Sequence, residues 1–106
     1  MLFVSILTAK AGLSAEQTQE GLPRRLNWTP PAGVKILAEY WLQGTPGRVI
    51  VISDADSMAP IFQISLQWGD LFDIEVVPAL TAEEGLKLGQ QAQQQATEQA
   101  PAELRR

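Results

Sequence analysis

The hydrophobic pattern of this chain alternates between a strand period and a helix period. Residues 2–7, Leu-Phe-Val-Ser-Ile-Leu, are apolar almost without a break, which marks a strand buried on both faces. Lys10-Ala11-Gly12 reads as a turn. Ser14 stands three residues before Gln17, the spacing of a capping box that starts a helix. That helix is predicted over residues 15–27, with Thr18, Leu22 and Leu26 on one face. Pro23 falls inside it and removes one backbone hydrogen bond, so a kink or two short pieces are expected. Trp28-Thr29-Pro30-Pro31-Ala32-Gly33 forms an ordered loop. In the strand over residues 34–42, strict alternation places Ile36, Ala38, Tyr40 and Leu42 on one face. Lys35, Leu37, Glu39 and Trp41 take the other. Residues 43–47 have the composition of a hairpin loop. The third strand, residues 48–53, is again apolar on both faces at Val49-Ile50-Val51-Ile52.

Asp54-Ala55-Asp56-Ser57 supplies helix N-cap candidates, with Pro60 in the first turn, where its missing N–H does no harm. Met58, Ile61, Ile64 and Trp68 then recur at helical spacing, flanked by Phe62 and Leu66. Gly69 breaks this helix. The strand that follows, to Pro78, sets Phe72, Ile74 and Val76 on one face and Asp73, Glu75 and Val77 on the other. Thr81 and Glu84 form a second capping box, opening a helix with Leu86 and Leu88 that continues into the glutamine and alanine tract of residues 90–99. This divides the chain into a domain over residues 1–88 and a tail over residues 89–106, a helix or a disordered extension. Disorder is expected from about residue 100.

The order strand, helix, strand, strand, helix, strand is the ferredoxin-like, split βαβ plan of an α+β domain. It predicts a four-stranded antiparallel sheet in the order 4-1-3-2 plus a C-terminal helix. The two strands apolar on both faces are the ones this plan makes central. Right-handed crossovers put both helices on one face of the sheet. The other face is left uncovered and carries alternate side chains of the two central strands. Burying even ~600 Å² of apolar surface there is worth on the order of 15 kcal/mol gross, before association costs. A homodimer with the two sheets face to face is therefore expected.

Composition narrows the chemistry. The 106 residues fit one domain with a tail, and 45% hydrophobic residues suffice for a core. With no cysteine and no histidine, disulfides, thiol nucleophiles, imidazole bases and the usual zinc and copper ligand sets are excluded. A net charge of -4 argues against nucleic acid as a partner. The apolar stretch at residues 2–7 is too short for membrane insertion and reads as a strand rather than a signal peptide. A cytoplasmic location follows by default, and no cofactor is called for.

Several segments together resemble a known family. They are Gly12-Leu13-Ser14-Ala15-Glu16-Gln17, Trp28-Thr29-Pro30-Pro31-Ala32-Gly33-Val34-Lys35-Ile36, Asp54-Ala55-Asp56 and Trp68-Gly69-Asp70-Leu71-Phe72-Asp73-Ile74-Glu75-Val76-Val77-Pro78. They are similar to a family of small bacterial proteins of unknown function, which looks like part of the dimeric α+β barrel superfamily of ferredoxin-like proteins. The resemblance covers roughly residues 1–88. It implies the same fold and dimer, and it brings no accepted activity or catalytic residue. Some dimeric α+β barrels are cofactor-free monooxygenases, haem-degrading enzymes or chlorite-dismutase-like enzymes. The haem users commonly rely on a histidine ligand, which this chain lacks.

The candidate pocket residues are Glu75, Asp73, Glu39, Trp41 and Arg48. Glu75 and Asp73 are expected to point into the space between two sheets. There a desolvated Glu75 would serve as a base or ligand anchor, and the plainer reading is an ion pair with Arg48 or Lys35. Glu39 beside Trp41 suits an aromatic or cationic ligand in the same space, and the plainer reading is an edge-strand charge for solubility beside a tryptophan in the dimer core. Trp28 and Trp68, near helix ends, either gate a cleft or plug the core. Arg24, Arg25 and Arg48 are the notable basic group, able to receive a carboxylate or phosphate, although a solvated helix face is the commoner explanation. Asp54, Asp56 and Asp70 read as caps and turn residues rather than a metal cluster. Ser5 and Ser53 have no base to activate them. Three functions fit: a homodimeric small-ligand-binding or interaction module; a cofactor-independent monooxygenase-like enzyme acting on a small aromatic substrate, with Glu75 or Glu39 as base; and an accessory or assembly subunit.

Overall fold

The structure is a computed structural model, and it describes residues 1–99. The elements run β1 (Leu2–Ala9), α1 (Ala15–Leu26), β2 (Val34–Leu42), β3 (Arg48–Ala55), α2 (Ala59–Trp68), β4 (Phe72–Ala79) and α3 (Ala82–Gln99). The strands form one antiparallel sheet in the order β2-β3-β1-β4, which is the expected βαββαβ arrangement with β1 and β3 central. The segment expected to be disordered, residues 100–106, lies outside the described residues.

Local signals explain most boundaries. Ser14 Oγ accepts from the Gln17 amide at 3.1 Å while the Ser14 amide donates to the Gln17 side chain at 2.9 Å, closing the capping box of α1. Thr81 and Glu84 exchange the same pair of bonds at 3.1 and 3.0 Å at the start of α3. Gly33 turns the chain into β2 with φ +90°, a conformation that L side chains rarely adopt.

Three expectations are corrected. First, α1 is a single helix across Pro23 and not two short pieces. Pro23 lies in the last turn, and both it and Gln19, whose carbonyl it cannot reach with an N–H, are exposed, so the lost bond does not leave a buried carbonyl unpaired. Secondly, β3 extends to Ala55, so Asp54 belongs to the strand. Met58 occupies the N-cap position of α2 without a side-chain cap, and only the expected Pro at the first turn holds.

Thirdly, β2 does not alternate strictly. Its register against β3 pairs Ile36 with Ser53 but Ala38 with Ile52, leaving Leu37 as an extra residue in a β-bulge. Beyond the bulge the faces exchange. Glu39 pairs with Val51 and Trp41 with Val49, so both share the helix-covered face with Ile36. Tyr40 and Leu42 turn to the open face, where they are 59% and 41% exposed.

β4 keeps the expected alternation. Phe72, Ile74 and Val76 face the helices, opposite Ala9, Leu7 and Ser5 of β1, while Asp73, Glu75 and Val77 look away from them. The core comprises two small clusters: Phe3, Ala55 and Ile61 in one, Leu7, Trp68 and Leu71 in the other. Nothing in α1 is buried, and Leu22 and Leu26 are both exposed. Restoring the Gln19–23 backbone bond with Pro23→Ala is therefore expected to stabilise the protein by about 1–3 kcal/mol. The midpoint of urea unfolding should rise; an unchanged midpoint would mean that the last turn of α1 is not helical in solution.

Candidate functional site

A cavity of about 290 Å³ lies between α1, α2 and the helix-covered face of the sheet. Its floor is the alternating row of β1, β3 and β4 side chains: Ser5, Leu7, Val49, Val51, Ser53, Phe72 and Ile74. Ile64, Ser65 and Trp68 of α2 close one side. Thr18, Gly21, Leu22 and Arg25 of α1 form the roof. The cavity follows from the composition of α1. Of its residues over the sheet, Thr18 and Gly21 are short, Arg25 is charged and Leu22 is 55% exposed at the rim, so the helix stands off the sheet instead of packing into it.

Charge pairs hold α1 in that position. Arg24 grips Asp70, in the turn before β4, with two bonds of 2.8 and 2.9 Å. It also reaches Glu20 at 2.8 Å and the Gln67 carbonyl at 3.2 Å. The Arg24 guanidinium holds the Asp70 carboxyl below the usual carboxylate range. Arg25 spans to β2, donating from Nε to the two Glu39 oxygens at 3.2 and 3.1 Å and from Nη2 at 2.9 Å. Trp41 Nε1 donates to the same carboxylate at 2.6 Å.

The Glu39 carboxyl is accordingly pushed down from its ordinary value. Hydrogen bonding from Arg25 is the main cause, opposed by burial and reinforced by Trp41. Arg25 is in turn raised by Glu39. A carboxylate fixed this way is a structural anion, the opposite of a poised base.

The aromatic side chains complete the wall. Trp68 is 6% exposed, and Trp28 meets it edge-on with ring centroids 6.2 Å apart. The two rings plug the end of the core while lining the cavity. The Trp28 indole N–H donates to the side-chain oxygen of Gln67 at 2.7 Å, rather than to a backbone carbonyl. Arg24 lies over Trp68 and Arg25 over Trp28, each 5.4 Å from the ring centroid. Trp41 and Leu22, half exposed, stand at the rim.

Of the candidate residues, Glu39, Trp41, Trp28 and Trp68 are brought together around this cavity. Arg48, Asp73 and Glu75 are not. They share the opposite, open face, where Arg48 and Asp73 both pair with Thr8 and Glu75 pairs with Ile6. Asp73 is 3.8 Å from Lys10, and among the described residues Glu75 takes part in no ion pair.

Arg25 and Ser53 carry more of the site than the sequence suggested. Ser53 is 1% exposed, and its hydroxyl has no hydrogen-bond partner among the described residues. The available signal was a serine placed where an apolar strand predicts burial, in Ile52-Ser53 as in Val4-Ser5. The value of Arg25 was not legible, because its partner lies across the fold on a strand whose faces exchange.

Fold and site together define a small α+β domain with a mostly apolar cavity beneath its helix layer. The chain belongs to the family described as a domain of unknown function, DUF3303, which matches residues 1–93. No curated protein matches it significantly.

The lowered Glu39 pKa sets a pH dependence. Stability from the Arg25–Glu39 pair is complete above the ordinary value of 4.5 and is lost as pH falls through the lower folded value. Glu39→Gln should therefore destabilise the protein at neutral pH and flatten its stability between pH 5 and 3, read by chemical denaturation across that range. A double-mutant cycle with Arg25→Met should give a coupling on the order of 1 kcal/mol, below the range for fully buried pairs because Arg25 is 38% exposed. A coupling near zero would remove the pair as the tether of α1.

Proposed function

We propose that this chain is a homodimeric module that binds a small molecule in the cavity under α1 and performs no chemistry on it. The observation that carries the reading is the cavity itself: about 290 Å³, walled mainly by apolar and aromatic side chains, with the Ser53 hydroxyl buried and unpartnered at its floor. Small-ligand sites have this make-up, a largely apolar concavity with a few polar groups. The enzyme alternative is weakened by Glu39, whose carboxylate is held by Arg25 and Trp41 in its ionised form.

Support for the dimer comes from the open face. Tyr40, Leu42 and Val77 are each at least 40% exposed there, beside the half-buried Val4, Ile6, Ile50 and Ile52. An apolar sheet centre of this kind, flanked by Arg48, Asp73 and Glu75, favours a partner, and a second copy of the chain matches it without any further component. The arrangement accords with the likeness to dimeric α+β barrels. No helix among the described residues is long and apolar enough to cross a membrane.

One feature favours a second reading, the accessory subunit. In α3 every residue from 86 to 98 is exposed, including Leu86 and Leu88, which leaves that helix free to engage another protein.

Native mass spectrometry of the protein purified from its own source tests the proposal. The expected ion is a dimer carrying a small non-covalent adduct. A bare monomer at micromolar concentration would overturn both the dimer and the ligand. A stable complex with a different protein would favour the accessory reading. Tyr40→Glu combined with Ile50→Glu should convert the dimer to a monomer in sedimentation while leaving the cavity walls untouched.

A further inference from the structure

The open face of the sheet has two unlike sides around an apolar centre. Ile50 and Ile6 pair across β3 and β1, and Ile52 and Val4 pair two residues further along the same strands. The first of these rows begins with Tyr40 at the β2 edge and ends with Glu75 at the β4 edge. In the neighbouring row, Leu42 and Arg48 stand on one side of Thr8 and Asp73 on the other. Over these two rows the hydrogen-bond donors, Tyr40 and Arg48, therefore lie toward β2. The carboxylates of Asp73 and Glu75 lie at the opposite edge.

The two sets do not satisfy each other within one chain. Arg48 and Asp73 sit two strands apart, roughly 9–10 Å, with Thr8 between them. Among the described residues neither Arg48 nor Glu75 forms an ion pair, and Asp73 has only Lys10, at 3.8 Å. A two-fold interface requires that if one residue meets another, the reverse contact also forms. A face with donors on one side and acceptors on the other meets that requirement with itself.

Two orientations stack the apolar centres of two copies face to face in aligned packing. A two-fold axis across the strands lays each strand over its own copy with the rows reversed. That sets Glu75 against the partner's Val77, a carboxylate pressed on an apolar side chain. It also sets Arg48 against the partner's Asp54, and Asp54 is already bound to the N-terminal amine of its own chain at 2.8 Å. An axis along the strands keeps the rows and exchanges the edges, with β2 over the partner's β4 and β3 over the partner's β1. Tyr40 then faces the partner's Glu75, and Arg48 faces the partner's Thr8 with the partner's Asp73 beside it. The apolar centre does not choose between the two; the charged positions do.

Building on the dimer reading above, we propose that two copies pack with the two-fold axis along the strands, the Tyr40–Arg48 side of each sheet on the Asp73–Glu75 edge of the other. Tyr40 donates to the partner's Glu75 across the ~10 Å between stacked sheets. Arg48 reaches sideways to the partner's Asp73. Each contact forms twice, and together they fix the orientation that the apolar centre leaves open.

Sedimentation of charge-exchanged variants of the full chain tests this. Arg48→Asp should raise the dimer dissociation constant at least tenfold, because two ion pairs are lost and two like-charge contacts appear. Adding Asp73→Arg should bring it back to within about threefold of the parent, whereas adding Asp54→Arg, the exchange suited to the other axis, should not. Tyr40→Phe should weaken the dimer roughly tenfold, the margin of a hydrogen bond to a charged group. Arg48, Asp54 and Asp73 are all exposed in the single chain, so these changes spare the core.

The chain has no cysteine, so a thiol cross-linker reads the orientation independently of any variant that fails to fold. Ala38 and Val77 stand at opposite ends of one row, and the proposed axis sets each against the other of the partner. Ala38→Cys with Val77→Cys should give covalent dimers with a reagent spanning ~10 Å, and Val77→Cys alone should give none. Recovery through Asp54→Arg, no recovery through Asp73→Arg, or cross-linking through Val77→Cys alone would overturn the orientation and leave a dimer in place. A parent protein that stays monomeric at micromolar concentration would remove the dimer reading together with this one.

Discussion

One extra residue in an edge strand decides where the chemistry of this domain lies. Without the bulge at Leu37, Glu39 and Trp41 would project from the open face of the sheet, on the side of Tyr40 and Leu42 in the structure. With it, they turn under α1. A bulge opposes two residues to one, bends its strand and re-aims the side chains beyond it. Here it delivers a carboxylate to the one place where Arg25 can reach it. The Arg25–Glu39 bonds then fix the height of α1 above the sheet, and that height defines the cavity.

The tether matters because α1 has little else to hold it. Its large apolar residues, Leu22 and Leu26, are exposed, and the helix buries none of its residues. Most helices dock through an amphipathic face. This one is fastened at its C-terminal end by two adjacent arginines directed to different elements, Arg24 to the turn before β4 and Arg25 to β2. Both stack over tryptophans as they do so, so the cationic side chains also cover the plug formed by Trp28 and Trp68. Basic residues in the last turn are favoured by the helix dipole as well.

The fold was legible wherever periodicity and burial agree. The doubly apolar runs in β1 and β3 announced the central strands, two capping boxes set helix starts, and the division of β4 into Phe72, Ile74 and Val76 against Asp73, Glu75 and Val77 holds residue by residue. The site was legible only in its membership. Glu39, Trp41, Trp28 and Trp68 are recognisable as residues in need of a role, but alternation assigns Glu39 to the wrong face. A polar residue counts as outward-facing in any such pattern, and its inward position here depends on a partner 14 residues earlier. Nor does periodicity announce the bulge, because Ile36, Leu37 and Ala38 are all apolar and the run reads equally well in either phase. Asp73, Glu75 and Arg48 drew attention for their charge, and they lie on the open face, away from the cavity.

An open apolar space is energetically out of keeping with so small a domain. At ~24 cal/mol per Å³, an empty and dry cavity of 290 Å³ would cost on the order of 7 kcal/mol. A whole domain retains only about 5–15 kcal/mol of net stability. Water entering at the rim between Leu22 and Trp41 lowers that figure, yet the apolar floor gives water few partners beyond Ser5 and Ser53. Larger apolar residues at Thr18 and Gly21 would close the gap; Gly21 in particular has room, since a Cβ there would meet only Leu71 Cδ1 at 3.7 Å. The sequence instead keeps those positions small and props the helix with charge pairs. The space under α1 is thus kept open by specific contacts, the Arg24–Asp70 and Arg25–Glu39 pairs, rather than by the packing of α1 itself.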